Sequence, residues 1–318
     1  MTNVLVLGGT GFVGRSVCAQ CVARAGAAGG RITVATRRAA HARPIQLLPT
    51  VEIVEADVHN AVQLRRLVEG HDVVVNLVAI LHGNEEEFER VHVELPRKLV
   101  QACHDAGVQR LIHVSALGVG EAAPSRYLRS KAAGETVLKA GRLQLTLLRP
   151  SVIFGEADRF LNLFARLQSV MPVLPLAGAS ARFQPVWVED VAAAITACID
   201  DPGTIGLTIE CVGAQAFNLA ELASMAGRWS GHPRPIVALP DALARLQALM
   251  LECLPGTPLM SRDNLDSMRV PSVASGRWPG LERLGLRPAP IEAVVPLYLR
   301  PSQGVARLDP LRAKARRF

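Results

Sequence analysis

Two scarce residue types meet in the stretch Ser125-Arg126-Tyr127-Leu128-Arg129-Ser130-Lys131: the chain holds 2 tyrosines and, among 35 basic residues, only 4 lysines. A chance Tyr-x-x-x-Lys is expected about 0.03 times in such a chain. On a helix, positions i and i+4 share one face, so the spacing predicts the Lys131 ammonium beside the Tyr127 phenol, depressing its pKa below about 10. Such a pair moves protons near neutral pH. Ser115, at the end of an apolar run, is the third candidate; its alternative role is that of an ordinary turn residue.

A second cluster carries binding chemistry. The strand VLVLG leads into Gly8-Gly9-Thr10-Gly11-Phe12-Val13-Gly14 and then a helix, so Gly8, Gly11 and Gly14 form a G-x-x-G-x-x-G turn. Glycines are needed there for a tight turn, for close approach of the backbone to a pyrophosphate, and for packing the helix on the strand. The free N–H groups and dipole of the helix N-terminus then favour phosphates. The position of the turn, after the first strand and before the first helix, is what makes this a dinucleotide signature.

The second strand ends Val34-Ala35-Thr36-Arg37-Arg38, where an NAD site would carry an acid for the ribose 2′-hydroxyl. Two guanidiniums suit the 2′-phosphate of NADP instead, and Arg15, just after the third glycine, can join them; NADP is therefore favoured over NAD. Asp57-Val58, ending the third strand, is placed either to receive an adenine amino group or to cap the following helix.

The elements that must position these residues alternate. Strands are expected at 3–8, 31–36, 51–56, 72–79, 110–115 and 144–148, with helices near 12–24, 61–69, 87–106 and 127–140. Continuous apolar strands separated by helices predict a doubly wound α/β domain, a parallel sheet of the Rossmann type, over residues 1–150. Residues 151–318 are Pro-rich and less regular and form a smaller α/β substrate subdomain, with some segments returning to the first. Within it, Leu243, Leu246, Leu249, Met250 and Leu254 recur at helical spacing and are assigned to a core or subunit-contact face, with a membrane-surface helix or a quinone-lining wall as alternatives.

Bulk properties limit the function classes. With 49% hydrophobic and 20% charged residues among 318, the chain can bury a sizeable core. The start has no basic, cleavable leader and the apolar runs are shorter than a bilayer span, so the expectation is a cytoplasmic protein, alternatively peripheral to the inner face of a membrane. Six scattered cysteines fit reduced, buried thiols, and Cys18-x-x-Cys21 is assigned to packing; no metal site is assigned. The net charge of +7 comes without interleaved aromatics, which excludes nucleic acid as a partner. The basic tail from Arg307 to Arg317 is read as a solvated terminus, alternatively a contact with an anionic membrane or partner.

GGTGFVG, Asp57-Val58, Ser115, Tyr127-x-x-x-Lys131 and Arg149-Pro150-Ser151-Val152-Ile153-Phe154-Gly155 together resemble an extended short-chain dehydrogenase/reductase. Within that superfamily, RPSVIFGEADRFLN (149–162), QPVWVEDVAAAI (184–195) and HVSALGVG (113–120) resemble the atypical group around the nucleotide-binding accessory subunit of respiratory complex I, alpha subcomplex subunit 9. The resemblance implies hydride transfer at a nicotinamide. Tyr127 would be the proton donor or acceptor, Lys131 would tune the phenol and hold the nicotinamide ribose, and Ser115 would bond the substrate carbonyl. It also implies cofactor contacts from Thr10, Phe12, Val13, Leu77, Val78, Ala79, Pro150 and Val152. The superfamily's fourth catalytic residue is an Asn, and His92 stands in its place, as a hydrogen-bonded structural residue or a replacement acid/base. Two roles follow: an oxidoreductase or epimerase-like enzyme on a small carbonyl or alcohol, quinone-related or lipid-like, or an NADPH-binding structural or assembly factor of a respiratory complex. A redox-sensing nucleotide-binding regulator is a third.

Overall fold

A computed structural model of the chain describes residues 1–253, 255, 256 and 258–300. The basic tail and Leu254 lie outside the described residues. Two compact units are present.

The first unit comprises Met1–Pro150, Val188–Cys211 and Ala274–Leu286. Its strands are β1 (Val4–Leu7), β2 (Ile32–Thr36), β3 (Val51–Glu55), β4 (Val73–Asn76), β5 (Arg110–Val114) and β6 (Gln144–Pro150). With Thr208–Cys211 they make a seven-stranded sheet in the order β3-β2-β1-β4-β5-β6 followed by Thr208–Cys211, every pair parallel. Strands β1, β2 and β4 are buried at every position, as they must be when helices cover both faces. This is the doubly wound, Rossmann-like sheet that the alternation of elements predicts, and the reversal of strand order beside β1 opens the ligand crevice at the carboxyl ends of β1 and β4.

Helices α1 (Phe12–Ala28), α2 (Ala61–Val68), α3 (Glu85–Glu89), α4 (Leu95–Ala106) and α5 (Arg126–Ala140) follow the strands. Local chemistry sets their starts: Asn60 accepts from Val62 N and Gln63 N at α2, Asn84 and Glu87 form a capping box at α3, and Ser125 accepts from Leu128 N at α5. Asn60, not Asp57, caps α2, which corrects one of the two roles expected for Asp57. The segment 87–106, expected as one helix, is interrupted by a π-helical turn at Arg90–Glu94. Such turns cluster at functional sites, and this one carries His92.

The second unit comprises Ser151–Trp187, Val212–Val273 and the described residues from Arg287. Its core joins Phe154, Leu161, Phe164, Leu174, Leu222 and Ile291 between the helices Leu161–Val170 and Leu219–Trp229. The helix Asp241–Glu252 corrects the core assignment made from its leucines: it buries Ala244 and Ala248, while Leu243, Leu246, Leu249 and Met250 are 52%, 53%, 42% and 65% exposed. The inner face takes alanines because they allow close approach, which sends the large side chains outward. Five cysteines are buried as expected and Cys253 is exposed. Among the described residues no helix is long and apolar enough to cross a membrane.

Candidate dinucleotide and proton-transfer site

The glycine turn is built by steric necessity. Gly8 has φ +84°, and a Cβ there would meet Leu77 and Val78 at 3.2–3.3 Å; a methyl group at Gly14 would overlap the Gly8 carbonyl and the Gly9 backbone. Gly11 N donates to Gly8 O at 3.0 Å to close the turn. Gly11 also caps α1 with no side-chain acceptor, so nothing on that residue covers the first N–H groups of α1, where Phe12, Val13 and Gly14 lie. Arg15 Nε donates to Thr10 O at 3.2 Å and so stays on the rim of the turn.

The neighbouring strand ends complete a crevice lip. Arg37 and Arg38 are exposed just past β2, in a turn held by Thr36 Oγ1, which donates to Arg38 O at 3.1 Å. Asp57 is exposed after β3, its Oδ1 accepting from His59 N at 3.0 Å, and Val58 is buried beside it. Burial lowers the His59 pKa; the Asp57 carboxylate opposes this, and the cations Arg90, Lys98 and Arg37 add to it. The cations Arg37, Arg90 and Lys98 thus share the ends of β2 and β3 with the Asp57 carboxylate, Arg90 and Lys98 going beyond the residues read from sequence. Leu77, Val78 and Ala79 leave β4 against the Gly8 turn; Leu77 N donates to Leu7 O (2.9 Å) and Val78 N to Asn76 Oδ1 (3.1 Å).

On α5, Lys131 is 2% exposed and its Nζ donates to Val114 O at 2.9 Å, one residue before Ser115. Burial pushes its ammonium down to about 8, against a smaller opposing pull from Glu135. Tyr127, one turn earlier, is half-buried, and desolvation pushes its phenol up to about 12. This corrects the expected depression: the loss of water around the phenol outweighs the charge one turn away, which is itself bonded to a carbonyl. Ser115 is buried and near enough to the Glu135 carboxylate to favour its ionised form, yet among the described residues no group meets its Oγ in hydrogen-bonding geometry. Glu135 in turn is 3% exposed and receives Arg149 Nε at 2.9 Å, a pair that ties α5 to β6. Burial acts to raise the Glu135 pKa, and the Arg149 hydrogen bond, with lesser help, brings it below its usual value.

His92 is the residue whose role sequence left open. Its Nε2 accepts from Ile80 N at 3.2 Å and its Nδ1 lies 2.8 Å from Ser130 Oγ, which donates to Tyr127 O at 2.9 Å. The ring stacks on Phe88 (centroids 5.5 Å) and meets the Tyr127 ring edge-on (5.6 Å). Burial, then the nearby Lys131 charge, pushes the imidazole down to about 3, so it is neutral at physiological pH. Both ring nitrogens are bonded, which favours the hydrogen-bonded structural role over that of a replacement acid/base. The close packing of α5 on the π-helical turn depends on Gly134, where a methyl group would overlap His92 O; its signal in the sequence was a lone glycine inside a helical pattern.

The first unit therefore gathers the glycine turn, the 77–79 segment, Ser115, Tyr127 and Lys131 at the carboxyl ends of its strands. Pro150 closes β6 there, its carbonyl accepting from Leu117 N at 3.0 Å. Val152 belongs to the second unit, where its carbonyl accepts from Val186 N at 3.0 Å. Cys18 and Cys21 are buried in α1, with burial pushing their thiols up to about 12 and about 11, which suits packing and not reactivity. The unpaired Ser115 hydroxyl, the one-bonded Lys131 ammonium and the uncapped turn fit a nicotinamide dinucleotide with a second oxygen-bearing ligand.

Comparison with known proteins agrees with this geometry. A family model described as NAD(P)H-binding matches residues 8–202. The mouse NADH dehydrogenase [ubiquinone] 1 alpha subcomplex subunit 9, a mitochondrial protein, is 32% identical over 297 residues, covering 90% of this chain and 77% of the relative. The ceramide reductase of Caulobacter vibrioides is 31% identical over 241 residues, covering 75% of this chain and 74% of the relative. The crystal structure of a dTDP-glucose 4,6-dehydratase from Streptomyces venezuelae, solved with NAD bound, shares the fold at a TM-score of 0.72 and 23% identity, covering 93% of this chain and 95% of that one. The chain belongs to the NAD(P)H-binding family and is related to the alpha subcomplex subunit 9 proteins.

Proposed function

We propose that the chain is an NADP(H)-dependent oxidoreductase that interconverts a carbonyl and an alcohol on a lipid-like or quinone-related substrate. The observation that carries this reading is the buried Ser115 hydroxyl, approached by the Glu135 carboxylate but met by no protein group in hydrogen-bonding geometry, next to the carbonyl that holds Lys131. Burying a hydroxyl without a partner costs about 1–3 kcal/mol, which a substrate oxygen relieves by accepting its hydrogen bond. When bound, the reduced nicotinamide supplies a hydride to the carbonyl carbon. Ser115 orients the carbonyl oxygen, and Tyr127, which keeps its proton to about pH 12, delivers that proton to the oxygen as charge develops there. Lys131 turns its remaining donors to ribose hydroxyls, and Arg37 and Arg38 favour the 2′-phosphate over a bare 2′-hydroxyl. The ceramide reductase relative supports a long-chain lipid as substrate class.

Purified protein with NADPH and a panel of long-chain ketones, quinones and small carbonyls tests the reading. Turnover that Tyr127→Phe removes while NADPH affinity persists is the expected result; no turnover on any panel member, or turnover indifferent to Tyr127→Phe, refutes it.

A second reading is favoured by the mouse relative and by the raised Tyr127 phenol: an NADPH-binding accessory or assembly protein of a respiratory complex, in which the nucleotide stabilises the fold and is not consumed. It predicts thermal protection by NADPH, no oxidation of the bound nucleotide, and recovery of respiratory-complex subunits with the chain. A nucleotide-regulated sensor would instead bind its partner differently with NADP and NADPH.

A further inference from the structure

We propose that His92 is a positioning residue: one neutral imidazole pins the chain segment after β4 to the helix carrying Tyr127 and Lys131, and so sets the inner end of the dinucleotide site. The inference rests on the NADPH-binding reading above and adds to it a residue that takes no part in proton transfer.

The hydrogen-bond pattern fixes the tautomer. A backbone N–H donates only, so Ile80 N at 3.2 Å requires a lone pair on Nε2. In a neutral ring the proton then sits on Nδ1, which donates to Ser130 Oγ at 2.8 Å. Ser130, its lone pair engaged, donates onward to Tyr127 O at 2.9 Å. Every polar position of the ring is used, and the chain of bonds ends on a main-chain carbonyl, from which no proton can be passed on. What remains is mechanical. The segment from Leu77 to Ile80 starts against the Gly8 turn and ends on His92, and the far side of the same ring holds the backbone of α5 at Tyr127. Edge-on contact with the Tyr127 ring, 5.6 Å between centroids, and stacking on Phe88 fix the imidazole plane. The carbonyl of His92 lies so close to Gly134 that a methyl group there would overlap it, so the π-helical turn and α5 meet backbone to backbone. Loss of the ring frees both the 77–80 segment and the Tyr127 turn of α5, while the Gly8 turn and the Arg37/Arg38 rim keep their own supports.

Two probes separate these ends. NADPH spans the whole site, whereas 2′,5′-ADP takes only the adenosine and 2′-phosphate end. For His92→Ala the expected result is an NADPH Kd raised about tenfold, a weakened blue shift of bound-NADPH fluorescence, and a 2′,5′-ADP Kd changed by less than about twofold. His92→Gln, whose Oε1 reaches the Nε2 position and accepts from Ile80 N, restores NADPH affinity to within about threefold of the parent. Equal losses for both probes, or no loss for either, overturn the proposal. Independently of any variant's folding, ¹⁵N spectra of histidine-labelled full-length protein at pH 7 show the neutral Nδ1–H form for His92, assigned by its absence in His92→Gln. An Nε2–H tautomer or an imidazolium overturns the proposal as well. If the parent protein fails to bind NADPH, the functional reading falls and takes this one with it. If the parent binds NADPH and His92→Ala matches it, this one falls alone.

Discussion

Replacing Lys131 by Met should make the nucleotide-free protein more stable and a worse binder. Lys131 is 2% exposed and its ammonium titrates at about 8 in place of 10.5. At about 1.4 kcal/mol per pH unit, carrying that charge inside the fold costs about 3 kcal/mol at any pH below 8. The sign follows from proton counts: between pH 8 and 10.5 the unfolded chain holds a proton on Lys131 that the folded chain has released, so stability rises with pH there. Methionine has a similar volume and no charge, but it leaves Val114 O without the bond at 2.9 Å, which returns about 1 kcal/mol or more. The net expectation at pH 7 is a gain of about 1–3 kcal/mol and a Tm higher by a few degrees, shrinking by about 2 kcal/mol toward pH 9.5 as the parent sheds its penalty. Parallel thermal melts of parent and Lys131→Met at pH 7 and 9.5, with NADPH titrations, measure both halves. A variant less stable than the parent at pH 7, or a stability gap that does not narrow with pH, refutes the argument. NADPH affinity that survives the substitution removes Lys131 from the site.

Removing the guanidinium pair in Arg37→Ala/Arg38→Ala should raise the NADPH Kd by about tenfold or more and leave NADH within about twofold, read by fluorescence titration at two salt concentrations. Gly134→Ala places a methyl group on the His92 carbonyl; despite the better helix propensity of alanine, overpacking should destabilise by about 1–3 kcal/mol in denaturant melts and weaken NADPH binding. Ser115→Ala deletes a buried hydroxyl that no protein group meets in hydrogen-bonding geometry and that only favours the Glu135 carboxylate from nearby, so stability should change by less than about 1 kcal/mol while turnover falls by about 100-fold at unchanged NADPH affinity.

The parallel sheet was legible because its strands are buried on both faces and read as continuous apolar runs, as in Val4–Leu7 and Val73–Asn76. The glycine turn was legible because sterics admit no other residue at Gly8 and Gly14. The Tyr127 and Lys131 positions were legible from spacing, but their titration was not: spacing places charges near one another, and only burial decides whether charge or desolvation wins. The π-helical turn at Arg90–Glu94 was invisible for a related reason. It coincides with the packing of α5 at Gly134 and with the His92 bonds to Ile80 and Ser130, contacts between residues 12 to 42 positions apart that no local pattern encodes. For the leucines of Asp241–Glu252 the core half of the core-or-subunit-contact expectation failed because helical periodicity marks an apolar face without saying which side of the helix meets the core; the alanines on the opposite side carried that information.

The protonation state that the proposed reduction needs follows from the same desolvation that upset the spacing argument. A phenol titrating at about 12 is ionised at pH 7 in roughly one molecule in 10⁵, so Tyr127 is a scarce base for taking a proton from an alcohol. It is an abundant acid, and the oxygen that forms as a carbonyl accepts a hydride is far more basic than a phenolate, so proton delivery remains downhill. Ser115, whose Oγ no protein group meets in hydrogen-bonding geometry, can donate to that oxygen as charge develops on it. Lys131 is charged below about pH 8, adding a fixed positive potential where negative charge develops. Neutral His92, bonded at both nitrogens, offers no alternative base. On the proposed oxidoreductase reading, a protonated Tyr127 and a charged Lys131 at neutral pH suit the reduction half of the reaction.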